Sequence, residues 1–205
     1  MISSTLFWFL FAFLLAALES EAEGKYGWAQ KMPTWYRTRG LAGRLYGSMM
    51  GGKPLTGYHL FMFFLPLVAV HAGFFQGARW SVASELIALA HYFALAVLWD
   101  YLWFILNPHY GFSRFHKENV WWHAKSRWIL NRWPIDYFVG WTISLGLAFM
   151  ATRFGRREAF ADQVDILAGL AGLTALTIGF SPYYHWWYAR MRTRDDRDDA
   201  GIHHD

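Results

Sequence analysis

The sequence predicts an all-α fold: a polytopic membrane helix bundle of about five transmembrane helices, with an amphipathic interfacial helix between the third and fourth. Three observations predict it. Of the 205 residues, 55% are hydrophobic, and they fall in about five long blocks rather than in short periodic ones. Each block approaches the roughly 20 apolar residues needed to cross a hydrocarbon core. Only 17% of the residues are charged, and most of these lie between the blocks.

The first block, residues 1–18 (MISSTLFWFLFAFLLAAL), has no Lys or Arg before it and runs into Glu19, Glu21 and Glu23. A secretory signal would begin with a basic region and end at a small-residue cleavage site, so a retained, rather short span is expected. Residues 20–54 form a polar connection in which Trp28, Trp35 and Tyr36 are of the amphipathic type that settles at headgroup depth. Gly51, Gly52 and Pro54 mark the turn into the second span. That span, residues 55–76, carries His59 and His71 near its two ends and Pro66 within it, where a backbone hydrogen bond is lost.

The third span, residues 83–107, contains Glu85, His91 and Asp100 and is closed by Asn107-Pro108, because a residue before proline is pushed away from helical geometry. Residues 108–134 are not apolar enough to cross. Read as a helix, Phe112, Phe115, Trp122, Ile129 and Trp133 make one stripe, and the basic residues lie mostly away from it, which is the pattern of a helix in the interface plane. Residues 135–151 are the fourth span. The fifth, 164–184, carries Ala168, Gly169, Gly172, Ala175 and Gly179, small residues that let helices approach closely in lipid. Residues 1–190 thus read as one integral membrane domain and 191–205 as a disordered, charged cytoplasmic tail, in which His203 and His204 are expected to have no role.

Lys and Arg number six in the first connection, five in the third and four around the tail, against one and three in the other two connections. The N-terminus is therefore expected outside and the C-terminus in the cytoplasm, in a bacterial inner membrane or its equivalent. The same distribution accounts for the net charge of +4 without a nucleic-acid partner. The chain has no Cys, which excludes disulfides, thiolate metal sites, iron–sulfur clusters and cysteine nucleophiles.

Ionisable residues in a lipid-facing length of helix are costly and usually mark a site. The expected topology sets His59 and Asp100 at similar depth near the cytoplasmic side, and His71 and Glu85 near the outer side, at roughly 1.5 Å of rise per residue. Asp100 and His59 are the expected catalytic pair. His59, Asp100, His116 and His123 are the expected ligands of a divalent metal, zinc or iron, because imidazole and carboxylate together suit such ions. Asn107, His109, Asp136 and His185 belong to the same end. No HExxH motif and no clustered-histidine box of membrane desaturases is present.

The expected function is metal-dependent chemistry on a lipid-like substrate at the cytoplasmic membrane interface. Three alternatives remain open on the sequence. One is a non-catalytic accessory or assembly subunit bound to another membrane protein through its aromatic connections. Another is a redox anchor holding a b-type haem between His71 and His91. The last is a small transporter that works as a homo-oligomer. Membrane lipids are expected partners in every case.

Overall fold

The computed structural model describes residues 2–194. The chain begins with α1 (Ile2–Glu23), then β1 (Tyr36–Arg37), α2 (Gly40–Met49) and β2 (Leu55–Thr56). It continues through α3 (Gly57–Phe75), α4 (Val82–Leu106) and the short α5 (Gly111–Arg114). After β3 (Trp128–Ile129) and β4 (Trp133–Pro134) come α6 (Ile135–Arg153) and α7 (Ala159–Arg192). The strands form two small antiparallel pairs, β1 with β2 and β3 with β4. Helices α1, α3, α4, α6 and α7 are long and apolar enough to cross a membrane. The chain is an all-α multi-pass membrane bundle, as the sequence predicts.

Helix α4 is the axis. It packs against α1, α3, α6 and α7, whereas α3 packs principally on α4. Leu98, Leu102, Phe104 and Ile105 are accordingly shut off from the surroundings. The start of α4 is fixed by a capping box, in which Ser81 and Ser84 exchange side-chain and backbone hydrogen bonds. The first turn of α3 is held by Thr56, whose hydroxyl accepts from the His59 N–H at 3.1 Å.

Small residues set the close crossings. A Cβ on Gly169 would lie 2.7 Å from Thr5 Cγ2, so α1 and α7 meet there. Gly172 and Gly179 face open space and contribute no such crossing. On α6, a Cβ on Gly140 would come within 2.5 Å of Val97 Cγ2 of α4. A buried polar chain ties the same helices together: Gln163 of α7 donates to the Ser144 hydroxyl at 2.9 Å, and Ser144 donates to the Ala90 carbonyl at 2.8 Å.

Three expectations are corrected. The first helix does not stop near residue 18 but runs to Glu23, so Glu19 and Glu23 belong to its last turns. The last helix runs to Arg192, two residues into the expected tail; the rest of that tail from residue 195, with His203 and His204, lies outside the described residues. The segment 108–134 is not one amphipathic helix. It breaks into α5, two single 3-10 turns (Lys117–Asn119 and Trp121–His123) and the β3–β4 hairpin. Gly111 takes a left-handed conformation (φ 62°) at its start, and Leu130 and Asn131 do so in the hairpin turn (φ 51° and 59°). Its Phe115, Val120 and Trp122 are buried against the bundle rather than lying flat in lipid.

These pieces form a cap over one end of the bundle. The Asn107 amide donates to the Gly24 carbonyl at 2.6 Å, and Tyr110 donates to the Lys25 carbonyl at 3.1 Å. The Trp122 ring fills the place where a Cβ on Gly27 would stand, only 2.1 Å from that position. It also stacks on Phe104.

Candidate functional site

Under this cap is a cavity of about 560 Å³, walled by α1, α3, α4 and α6 and by the two connections at this end. It holds two groups of titratable side chains.

The first group comes from α1 and α3. Glu19 and Glu23 are four residues apart, hence on one face of the helix, and that face turns inward: they are 6% and 3% exposed. His59, 3% exposed, points its Nε2 between them, 3.6 Å from Glu19 Oε1 and 3.7 Å from Glu23 Oε1. Its other nitrogen is 2.9 Å from the Thr56 hydroxyl. The Trp28 ring stacks on the imidazole with centroids 4.1 Å apart, and Lys53 Nζ lies 4.5 Å from the Trp28 ring centroid. The indole N–H of Trp28 is fixed on the Pro54 carbonyl at 2.8 Å. Trp28 and Ala29 both adopt left-handed backbone (φ 56° and 52°), a conformation costly for residues with a Cβ, and it brings the Ala29 N–H to Glu23 Oε1 at 2.5 Å.

The second group comes from α4, the cap and α6. His123 Nε2 is 3.1 Å from Asp100 Oδ2, and the Tyr137 hydroxyl donates to the same oxygen. Among the described residues both bonds to Asp100 fall on Oδ2, and its side chain, 29% exposed, lies on the cavity wall. His123 has a second carboxylate beside it, with Nδ1 at 3.7 Å from Asp136 Oδ2, and Ser126 donates to that Asp136 oxygen. Lys53 and Lys125 also reach the wall. Burial lowers the Lys53 ammonium below the ordinary lysine range, against the opposing pull of Asp100 and Asp136.

Several expected residues therefore meet, but not in the expected pairs. His59, Asp100, His123 and Asp136 share the cavity, yet the partners of Asp100 are His123 and Tyr137, not His59. The reason is the length of α1, which runs on to Glu23 and so sets Glu19 and Glu23, rather than Asp100, beside the imidazole. His116 is not on the wall, nor are His109 and His185. His185 is held by the Ile105 carbonyl at 2.9 Å, and Asn107 supports the cap. Among the described residues the one cluster with metal-ligand spacing is Glu19, Glu23 and His59, so it shares only His59 with the expected set. At the far end His71 and Glu85 do meet, at 3.0 Å, as their depth implied. His71 is engaged at both ring nitrogens, by Glu85 and by the Leu67 carbonyl at 2.7 Å, and His91 is placed by the Ile87 carbonyl at 2.7 Å. His71 thus has both ring nitrogens engaged, whereas the buried Nε2 of His91 has no hydrogen-bond partner among the described residues.

Sequence reading missed Glu19, Glu23, Lys53 and Tyr137. The signal for the first two was present: acids at i and i+4 directly continuing an apolar helix. No family model matches this chain, and no curated protein or solved structure is detectably similar to it; what the site can do therefore rests on its own geometry.

Proposed function

We propose that this chain is a membrane enzyme acting on an amphiphilic, lipid-like substrate, with Asp100 as general base. The observation that carries this reading is the two-part character of the cavity. Its polar end holds Glu19, His59, Asp100 and His123, and its wall continues along Phe93 and Val97 of α4 and Val139 and Ile143 of α6. Phe93 precedes Asp100 by seven residues and Ile143 follows Asp136 by seven, so the apolar arm reaches about 10 Å further into the bilayer. A headgroup fits one end and a chain the other. Lys53 and Lys125 suit an anionic headgroup.

The chemistry assigned is proton removal. Asp100 is held through Oδ2 by His123 and Tyr137, which leaves Oδ1 to take the proton from a water or hydroxyl as that oxygen attacks an ester carbon or phosphorus of the headgroup; the ester C–O or P–O bond breaks, and the departing oxygen takes the proton back from Asp100. His123 and Tyr137 act as positioning residues. The excess of Lys and Arg in the connections at this end supports a cytoplasmic position for the site.

The test is lipid mass spectrometry on the purified protein in vesicles of a total lipid extract. Wild type should convert a lipid class that Asp100→Asn leaves unchanged, with both proteins eluting as the same folded species. A wild-type protein that alters no lipid overturns the reading. The accessory-subunit reading would then stand in its place.

A further inference from the structure

We infer that Glu19, Glu23 and His59 bind one divalent transition-metal ion at the polar end of the cavity. The inference deepens the function proposed above, on which the ion's catalytic role rests, while its binding is measured independently of that function.

The donor atoms are already gathered: one carboxylate oxygen from each glutamate and a ring nitrogen of His59 lie within 4.8 Å of one another. Ligands ~2.0–2.2 Å from a tetrahedral ion stand about 3.4 Å apart, and His59 Nε2 is 3.6 and 3.7 Å from the two oxygens. Those separations are too long for hydrogen bonds and suited to ligands around a common centre. In the tautomer that donates Nδ1–H to Thr56, the Nε2 lone pair faces two carboxyl groups, each acceptor-only when ionised. Three electron-rich atoms in a buried place repel one another unless a proton or a metal cation lies between them, and separations of 3.6 and 3.7 Å are longer than a shared proton bridges.

The supports around the cluster are those a metal site uses. Thr56 fixes the imidazole through its outer nitrogen, Trp28 stacks on its face, and the Ala29 N–H holds Glu23. Among the described residues, His59 is the one ion-pair partner within 4 Å of either glutamate. Two carboxylates and one imidazole suit zinc, manganese or iron(II) rather than copper(I). Three protein ligands beside an open cavity leave a position for a water or a headgroup oxygen, the arrangement of catalytic rather than structural sites.

The experiment is metal analysis of the full chain, purified in mild detergent without chelator, and again after EDTA treatment and reloading with zinc or manganese. Wild type and Asp100→Asn should each hold about one ion per chain, and Glu19→Gln/Glu23→Gln should hold none. Loss of lipid turnover in Asp100→Asn with the metal retained separates the two proposals. Metal bound with no lipid converted by wild type sinks the function and leaves the site. Wild type that takes up neither ion, or a double variant that binds as much as wild type, overturns the site. Should the double variant not fold, X-ray absorption on the loaded wild type decides. A shell of oxygens with one imidazole is expected, and one with several imidazoles refutes the assignment.

Discussion

Asp100 is the residue on which both sequence and structure converge, for one physical reason. A carboxylate in a membrane-spanning helix must find partners, and it finds His123 and Tyr137. Replacing it by Asn keeps the shape and removes the base, so turnover of the converted lipid should fall about 100- to 10,000-fold with unchanged folding. Lys53 makes a second prediction. An ammonium whose pKa is lowered by burial sheds its proton at lower pH than free lysine. Amine-directed labelling followed by mass spectrometry should give Lys53 a half-labelling pH below that of free lysine. The charge exists below the pKa, so affinity for an anionic amphiphile should weaken as pH rises through the same range. Neither Lys53 nor Tyr137 was legible beforehand, because a lysine before a span and a tyrosine at its start read as interface residues. Only the fold brings them to Asp100.

Elements were legible where apolar length decides and obscure where packing does. The α3, α4 and α6 boundaries follow the apolar blocks closely. The end of α1 does not, since hydropathy falls at Glu19 while the backbone continues as helix to Glu23. The stripe from Phe112 to Trp133 had the period of a surface helix, yet Phe115 and Trp122 serve as plugs for the cap while Phe112 and Ile129 stay exposed, an arrangement that needs turns more than a helix. Contact between α4 and α6 hinges on Gly140, where even a Cβ would meet Val97. Gly140→Leu should destabilise the bundle by about 1–3 kcal/mol. It should also displace any amphiphile from the apolar arm; thermal unfolding and native mass spectrometry read the two effects.

For the whole molecule, five spans place the cap and both titratable groups at one end and the His71–Glu85 pair at the other. The absence of native cysteine makes the orientation directly measurable. In intact cells an impermeant maleimide should label Arg79→Cys and leave Lys117→Cys unlabelled until the membrane is opened; the reverse pattern inverts the proposed topology. The number of spans and the class of fold were legible because lipid permits so few solutions. Which histidine meets which acid was not, since it depends on crossings such as Gly140–Val97 and Gly27–Trp122 that apolar patterning does not encode.

The interlocking of the first and third connections also sets an order of events during synthesis. When α4 has entered the membrane, Glu19, Glu23 and His59 are all available to one another, but Asp100 has neither His123 nor Tyr137, which follow it by 23 and 37 residues. Until the cap and then α6 arrive, the growing chain carries a carboxylate without these partners and a cavity without its roof and one of its walls. A chain truncated before the cap should therefore be degraded by membrane proteases faster than the full chain, a difference that pulse-chase labelling measures.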